Sequence, residues 1–242
     1  MQGMKHIPNF LTLANAICGM MAIYNIVNTS NIGLAIALIA AAALFDMLDG
    51  WAARKVGASS ELGKQLDSLA DVISFGATSG FLWSSILADY TNVPQPWAML
   101  VGATVTAASV YRLAAFNLQE NEGKDFIGMP TPANALFALG LWSWMGRWDN
   151  WEWIMALDGS QLLLWHIALV SIAFYTIYWQ NASFQILSLK VGGDTRRKIG
   201  QYTLVGILAI MIPFFGALSI SIVVFLLPIV SAFALKSKAQ DP

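Results

Sequence analysis

Residues 32–54 read Ile32-Gly-Leu-Ala-Ile-Ala-Leu-Ile-Ala-Ala-Ala-Ala-Leu-Phe-Asp46-Met-Leu-Asp49-Gly50-Trp-Ala-Ala53-Arg54. A helix rises about 1.5 Å per residue, so this stretch is long enough to cross the roughly 30 Å hydrocarbon core of a bilayer. It ends on a cation but carries two carboxylates inside. Seven further apolar runs flank it, near residues 10–27, 64–88, 96–117, 131–147, 161–179, 201–216 and 218–236. Gly216-Ala217-Leu218 marks the turn between the last two. The expected fold is therefore all-α, a polytopic membrane bundle of about eight transmembrane helices.

Composition agrees. Of the 242 residues 57% are hydrophobic and 11% charged, which excludes a soluble globular domain, whose charged share is about 25%. A net charge of -1 with dispersed cations excludes nucleic acid as a partner. The single cysteine, Cys18, excludes a disulfide, a zinc knot or a thiol pair within one protomer and reads as a small buried apolar residue. No internal repeat or soluble domain stands out. Asn9, Thr12 and Asn15 interrupt the first run, and no small-residue cleavage site comes after it, so it reads as a span and not a signal peptide.

Orientation is set by the positive-inside rule. With both termini cytoplasmic, Lys5, Arg54, Lys55, Lys64, Arg112, Lys124, Lys190, Arg196, Arg197, Lys198, Lys236 and Lys238 fall inside, and Arg147 alone falls outside. The outer loop near 147–160 is acidic (Asp149, Glu152, Asp158), and Trp142, Trp144, Trp148, Trp151 and Trp153 around it read as an interfacial aromatic belt.

Four carboxylates lie inside spans: Asp46 and Asp49 in the second, Asp67 and Asp71 in the third. Each costs on the order of 3 kcal/mol at a bilayer's centre, so an intramembrane carboxylate is a functional candidate by default. At 100° per residue, Asp46, Asp49, Gly50, Ala53 and Arg54 share one helix face; Gly63, Asp67, Asp71, Ser74 and Thr78 share one face of the next. Counted inward from Arg54 and Lys64, the four aspartates reach similar depths, roughly 5–12 Å. The short connection 55–63 makes the two helices antiparallel neighbours. Four carboxylates in one small volume cannot all stay ionised without cations. An all-oxygen set suits Mg²⁺ or Mn²⁺, and two such ions bridged by carboxylates favour displacement at phosphorus. Gly50 and Ala53 either permit close helix packing or leave room for a ligand beside Arg54, whose planar fork suits phosphate; the neighbouring aspartates favour the ligand.

Together, Asp46-Met-Leu-Asp49-Gly50-Trp-Ala-Ala53-Arg54, eight residues, and Gly63-Lys-Gln-Leu-Asp67-Ser-Leu-Ala-Asp71 resemble the signature of the CDP-alcohol phosphotransferase family at every fixed position and gap. The resemblance implies a six-helix core, a homodimer, and transfer of a phosphatidyl group from CDP-diacylglycerol to an alcohol with release of CMP. It implies that Asp46, Asp49, Asp67 and Asp71 hold two divalent cations, Mg²⁺ or Mn²⁺, with Asp71 also the base. Asp49, Gly50, Ala53, Arg54 and Gly63 would receive the CDP-lipid. Residues 1–180 would form the six-helix catalytic core, and 181–242 a basic cytoplasmic loop plus two added helices, all in one integral membrane domain of the cell (inner) membrane with its site facing the cytoplasm.

Ser68-Leu-Ala-Asp71-Val-Ile-Ser74-Phe75-Gly76, Arg112-Leu-Ala-Ala-Phe116-Asn117 and Phe126-Ile-Gly128-Met-Pro130-Thr-Pro132 are similar to the family's phosphatidylserine synthase branch, which implies L-serine as the acceptor. Ala115 stands where that branch usually has a second arginine. Arg112 either binds the serine carboxylate, with Asn117 and Ser74 as hydrogen-bonding partners, or snorkels to the interface. Arg196-Arg197-Lys198 either meets an acidic headgroup or simply obeys the positive-inside rule. Asn9, Thr12 and Asn15 either border the nucleotide or, as preferred, hydrogen-bond between helices. Another acceptor, such as glycerol 3-phosphate or inositol phosphate, would want more cations. A cation transporter would want acidic residues continuing beyond Thr78, where the rest of the span offers only Ser79, Ser84 and Ser85.

Overall fold

The computed structural model describes residues 6–57, 60–118, 126–147, 152, 154, 156–187 and 195–235. Lys5, Lys124, Lys190, Lys236, Lys238, Trp148, Asp149, Trp151 and Trp153, all used in the orientation argument, lie outside the described residues.

Eight helical rods appear where the apolar runs predict them. They are α1 (Ile7–Asn28), α2 (Ile32–Val56), a composite third rod, α5 (Gln95–Leu118), α6 (Thr131–Met145), α7 (Gly159–Asn181), α8 (Thr195–Phe215) and α9 (Leu218–Leu235). The third rod is α3 (Glu61–Asp71), a π-helical turn (Val72–Ala77) and α4 (Thr78–Asp89) without interruption. Six of the rods are long and apolar enough to cross a membrane, and the chain is an integral membrane protein. The third rod falls outside that set because the π turn divides it into helices of 11 and 12 residues. α6 falls outside it because it has 15 residues, ten of them buried, so it meets protein and little lipid.

Local chemistry sets the boundaries. Asn31 caps α2 by accepting from the Leu34 N–H at 3.0 Å. Gly57 ends α2 at φ 62°, a left-handed C-cap that a Cβ would strain. Ser60 caps α3 through the Gly63 N–H at 3.0 Å. Asp158 closes a capping box with Gln161 at the start of α7, and the Gln161 N–H and Ser160 hydroxyl hold its carboxyl below the ordinary aspartate value.

Two short pairings tie the loops at opposite ends of the bundle. At one end β1 (Phe126–Ile127) pairs antiparallel with β2 (Gln185–Ile186), joining the loop before α6 to the loop after α7. At the other, the Asn92 N–H donates to His166 Nε2 at 2.9 Å and Trp165 Nε1 donates to the Tyr90 carbonyl at 3.2 Å. His166 thus caps a loop end and lies far from any carboxylate cluster. Trp142, expected in the aromatic belt, instead points inward: it is 2% exposed and its indole N–H donates to Ser85 Oγ at 3.1 Å. A buried partner for the indole outweighs the interface here.

α6 is the central post, packed against α4, α9, the π turn and α7. α9 locks onto it through the Ser221 hydroxyl, which donates to the Phe137 carbonyl at 2.6 Å, while α8 leans chiefly on α9. α4 and α5 cross so closely that a Cβ on Gly80 would strike the Gly102 carbonyl, and one on Gly102 the Gly80 carbonyl. Helices in lipid gain little from the hydrophobic effect and associate through this kind of backbone contact. Gly102→Ala is expected to lower stability by roughly 1–3 kcal/mol through overpacking against backbone that cannot yield, read as an earlier unfolding transition in detergent.

Candidate active site

α1 lies between the two acid-bearing helices and touches both. α2 packs along its length, and α3 and the π turn cross it; α2 and α3 rest on α1 more than on each other. The two acid-bearing helices therefore meet chiefly at their carboxylates, with α1 packed against both. Thr12 Oγ1 donates to Asp49 Oδ2 at 2.6 Å, and Asn15 Nδ2 donates to Asp71 Oδ1 at 3.4 Å. The polar face of α1 therefore makes interhelical hydrogen bonds, and it makes them to the aspartates themselves.

Asp46, Asp49 and Asp67 each offer a carboxylate oxygen, and these oxygens lie within 4.8 Å of one another. Asp71 stands beside this trio, within electrostatic reach of all three, and on its other side it interacts with Arg112. Asp49 is buried and the other three are half-buried. None of the four has a salt bridge to a described lysine or arginine; Lys64, expected nearby, is exposed and pairs with Glu61 at 3.1 Å. A cluster of hard oxygen donors without a basic counter-ion fits Mg²⁺ or Mn²⁺ and fits zinc or copper poorly.

Beside the trio, the Arg54 guanidinium folds back over Gly50: a Cβ there would sit 3.4 Å from Nη1. Ala53 is half-buried on the same face, and Gly63, at the first turn of α3, lies under Ser60 Oγ and near Asn9 Oδ1. Small residues and a planar cation thus lie beside the carboxylates on α2 and at the start of α3.

The π turn begins at the residue after Asp71. The wider turn shifts the register of the rod beyond it, while Ser74 and Asp71 both bond Asn15 of α1. Ser74 is fully buried against α1, where its hydroxyl donates to the carbonyls of Ala70 at 2.8 Å and Asn15 at 3.1 Å. Asn117 is exposed and exchanges hydrogen bonds with Ser68 at 2.8 and 3.2 Å. Neither bonds Arg112 among the described residues. Arg112 does not snorkel: it is 8% exposed, its Nη1 donates to Thr131 Oγ1 at 3.1 Å, and it lies 5.9 Å from the Phe116 ring centre. Sequence reasoning passes over Thr131, although the Thr-Pro start of α6 is the signal that places it. Arg196 and Lys198 are exposed on the first turn of α8.

The site is thus a carboxylate cluster with a cation and small residues beside it in a helical membrane protein. The profile of the CDP-alcohol phosphatidyltransferase family matches residues 5–235, and the chain belongs to that family. Among curated proteins it is 38% identical over 130 residues to the CDP-diacylglycerol–serine O-phosphatidyltransferase of Bacillus subtilis, covering 53% of this chain and 71% of that one. It is 37% identical over 132 residues to the archaetidylserine synthase of Methanothermobacter thermautotrophicus (54% of each chain). It is 35% identical over 134 residues to the CDP-diacylglycerol–serine O-phosphatidyltransferase of Methanocaldococcus jannaschii (55% and 59%). Apart from the Bacillus protein, the matched region spans little more than half of these relatives.

Thr12→Val, which removes the neutral partner of Asp49 and keeps its volume, is expected to weaken Mn²⁺ binding roughly 10-fold, as loss of such supporting hydrogen bonds does elsewhere. Titration of Mn²⁺ into the purified protein, tracked by the electron paramagnetic signal of free Mn²⁺, measures it.

Proposed function

We propose that the protein is a CDP-diacylglycerol–serine O-phosphatidyltransferase that makes phosphatidylserine and CMP. The observation that carries the reading is the convergence of Asp46, Asp49 and Asp67 next to Gly50 and Arg54, in a chain whose named relatives act on serine or make archaetidylserine. The CDP-lipid lies against this face of α2 and the start of α3: Gly50 and Ala53 leave space for the nucleotide, Arg54 meets its phosphate oxygens, and Gly63 lets the start of α3 approach. Two divalent cations held by Asp46, Asp49, Asp67 and Asp71 supply charge neutralisation for the diphosphate and for the leaving CMP. Asn15 orients the Asp71 carboxylate, which takes the proton of the serine hydroxyl as its oxygen attacks the phosphorus bearing the diacylglycerol. Arg112, on the far side of Asp71, holds the serine carboxylate.

In this reading residues 1–180 are the catalytic core and 181–242 an added pair of helices with a basic approach. The lysines and arginines place both termini and the site on the cytoplasmic side of the cell membrane, and the protein works as a homodimer.

With purified protein, CDP-diacylglycerol and Mn²⁺ or Mg²⁺, CMP release is expected to require L-serine and to stop on chelation of the metal. Release with glycerol 3-phosphate or inositol phosphate in place of serine would replace the acceptor, and no release with any acceptor would end the reading. Asp71→Asn should keep CDP-lipid binding and lose turnover by about 10²–10⁴-fold, the usual worth of a positioned base. Gly50→Leu should instead weaken CDP-lipid binding, because on this face the added side chain meets only the movable Arg54 and the fold is spared.

A further inference from the structure

Near Arg112, with which Asp71 interacts, the bundle holds buried polar side chains that the carboxylate signature does not include. Ser109 and Arg112 are one turn apart on α5, Thr131 and Asn134 one turn apart on α6, and Gln180 lies in the last turn of α7. Three hydrogen bonds pair helices here: Arg112 Nη1 to Thr131 Oγ1 at 3.1 Å joins α5 to α6, Ser109 Oγ to Gln180 Oε1 at 2.7 Å joins α5 to α7, and Asn134 Nδ2 to Ser79 Oγ at 3.3 Å joins α6 to α4. Arg112, Asn134 and Gln180 are 8%, 0% and 1% exposed. Each still has one polar atom without a partner: Arg112 Nε, Asn134 Oδ1 and Gln180 Nε2.

A buried polar atom without a partner costs on the order of 1–3 kcal/mol, so three such atoms mark a place left for something polar. The set is specific in kind. Arg112 Nε and Gln180 Nε2 are donors, and one belongs to a cation; Asn134 Oδ1 is an acceptor. Donors of this kind suit a carboxylate, and the acceptor suits an ammonium. The group is reached from Asp71 through Arg112, with which Asp71 interacts.

We infer that Arg112, Asn134 and Gln180 together form the acceptor pocket, Arg112 and Gln180 binding the carboxylate and Asn134 the ammonium of a small hydroxylated amino acid whose hydroxyl faces Asp71. The inference rests on the serine-transferase reading and replaces Ser74 and Asn117 as the partners of Arg112. Gln180→Glu tests it, because a carboxylate at 180 still accepts from Ser109 while the free donor becomes an oxygen. In CMP-release assays Q180E is expected to raise the KM for L-serine about tenfold or more and to leave the KM for CDP-diacylglycerol in place, since a charge-assisted hydrogen bond is lost only to the acceptor. A purely structural Gln180 predicts the reverse, an unchanged KM for serine, and that result overturns the pocket.

Wild-type protein gives a second measurement that needs no variant. Serinol lacks the carboxylate and faces two idle donors; 3-hydroxypropionate lacks the ammonium and faces one idle acceptor. Both should fall below L-serine in kcat/KM, with serinol lower, and equal use or the opposite ranking overturns the assignment whether or not Q180E folds. If wild-type protein does not use serine at all, the reaction assignment fails; if it does and both tests fail, only the pocket falls.

Discussion

Everything near the site depends on holding negative charge together inside a membrane. Three carboxylates offer oxygens within 4.8 Å of one another, with a fourth beside them, and no described cation forms a salt bridge to any of the four. The protein handles this with neutral groups. Thr12 and Asn15, one turn apart on α1, donate to Asp49 on α2 and to Asp71 on α3, so one helix sets the spacing of the two that carry the charges. Neutral donors orient carboxylates without neutralising them, which leaves the charge to attract a metal ion and the diphosphate bound to it. A salt bridge would have consumed that charge.

Most of the architecture is legible in the sequence because lipid simplifies the physics. Apolar runs of span length, punctuated by Gly57, Ser60, Asp158 and the Gly216 turn, predict all eight rods to within a few residues. The aspartate trio is legible too, since a 100° step fixes which residues share a face over two turns. Legibility stops at the π turn. Nothing in the hydropathy of Val72–Ala77 announces an extra residue per turn, yet within that turn Ser74 is fully buried and bonds the Asn15 carbonyl of α1. The same limit applies to Lys64 and Trp142. Each has two reasonable partners in sequence, and neighbours far along the chain make the choice between them.

Arg112 shows what three dimensions add. An arginine six residues from the end of α5 is long enough to reach the interface, and the sequence alone leaves both directions open. The Thr131 hydroxyl at the start of α6 and the charge of Asp71 draw it inward. Asn134 and Gln180 carry a readable signal as isolated amides in apolar spans, but nothing in the sequence ties either to Arg112.

The two polar regions then make opposite demands on one fold. On the proposed reading the carboxylates must admit a metal-bound diphosphate and its nucleotide from water, and α2 and α3 rest on α1 more than on each other. The amides and Arg112 need enclosure, because selection of a small zwitterion depends on polar atoms that water does not already satisfy. Enclosure comes from α6. It is buried over most of its length and held from behind by α9 through the hydrogen bond from Ser221 to the Phe137 carbonyl. The pair α8 and α9 thus bears on the site without reaching it: by backing α6, it keeps Thr131 and Asn134 at a fixed distance from Arg112. A lipid substrate bound against α2 and α3 tolerates small shifts of the helices around it. An acceptor held, as inferred above, by three side chains from three helices does not, and that difference gives the fold a reason to brace α6.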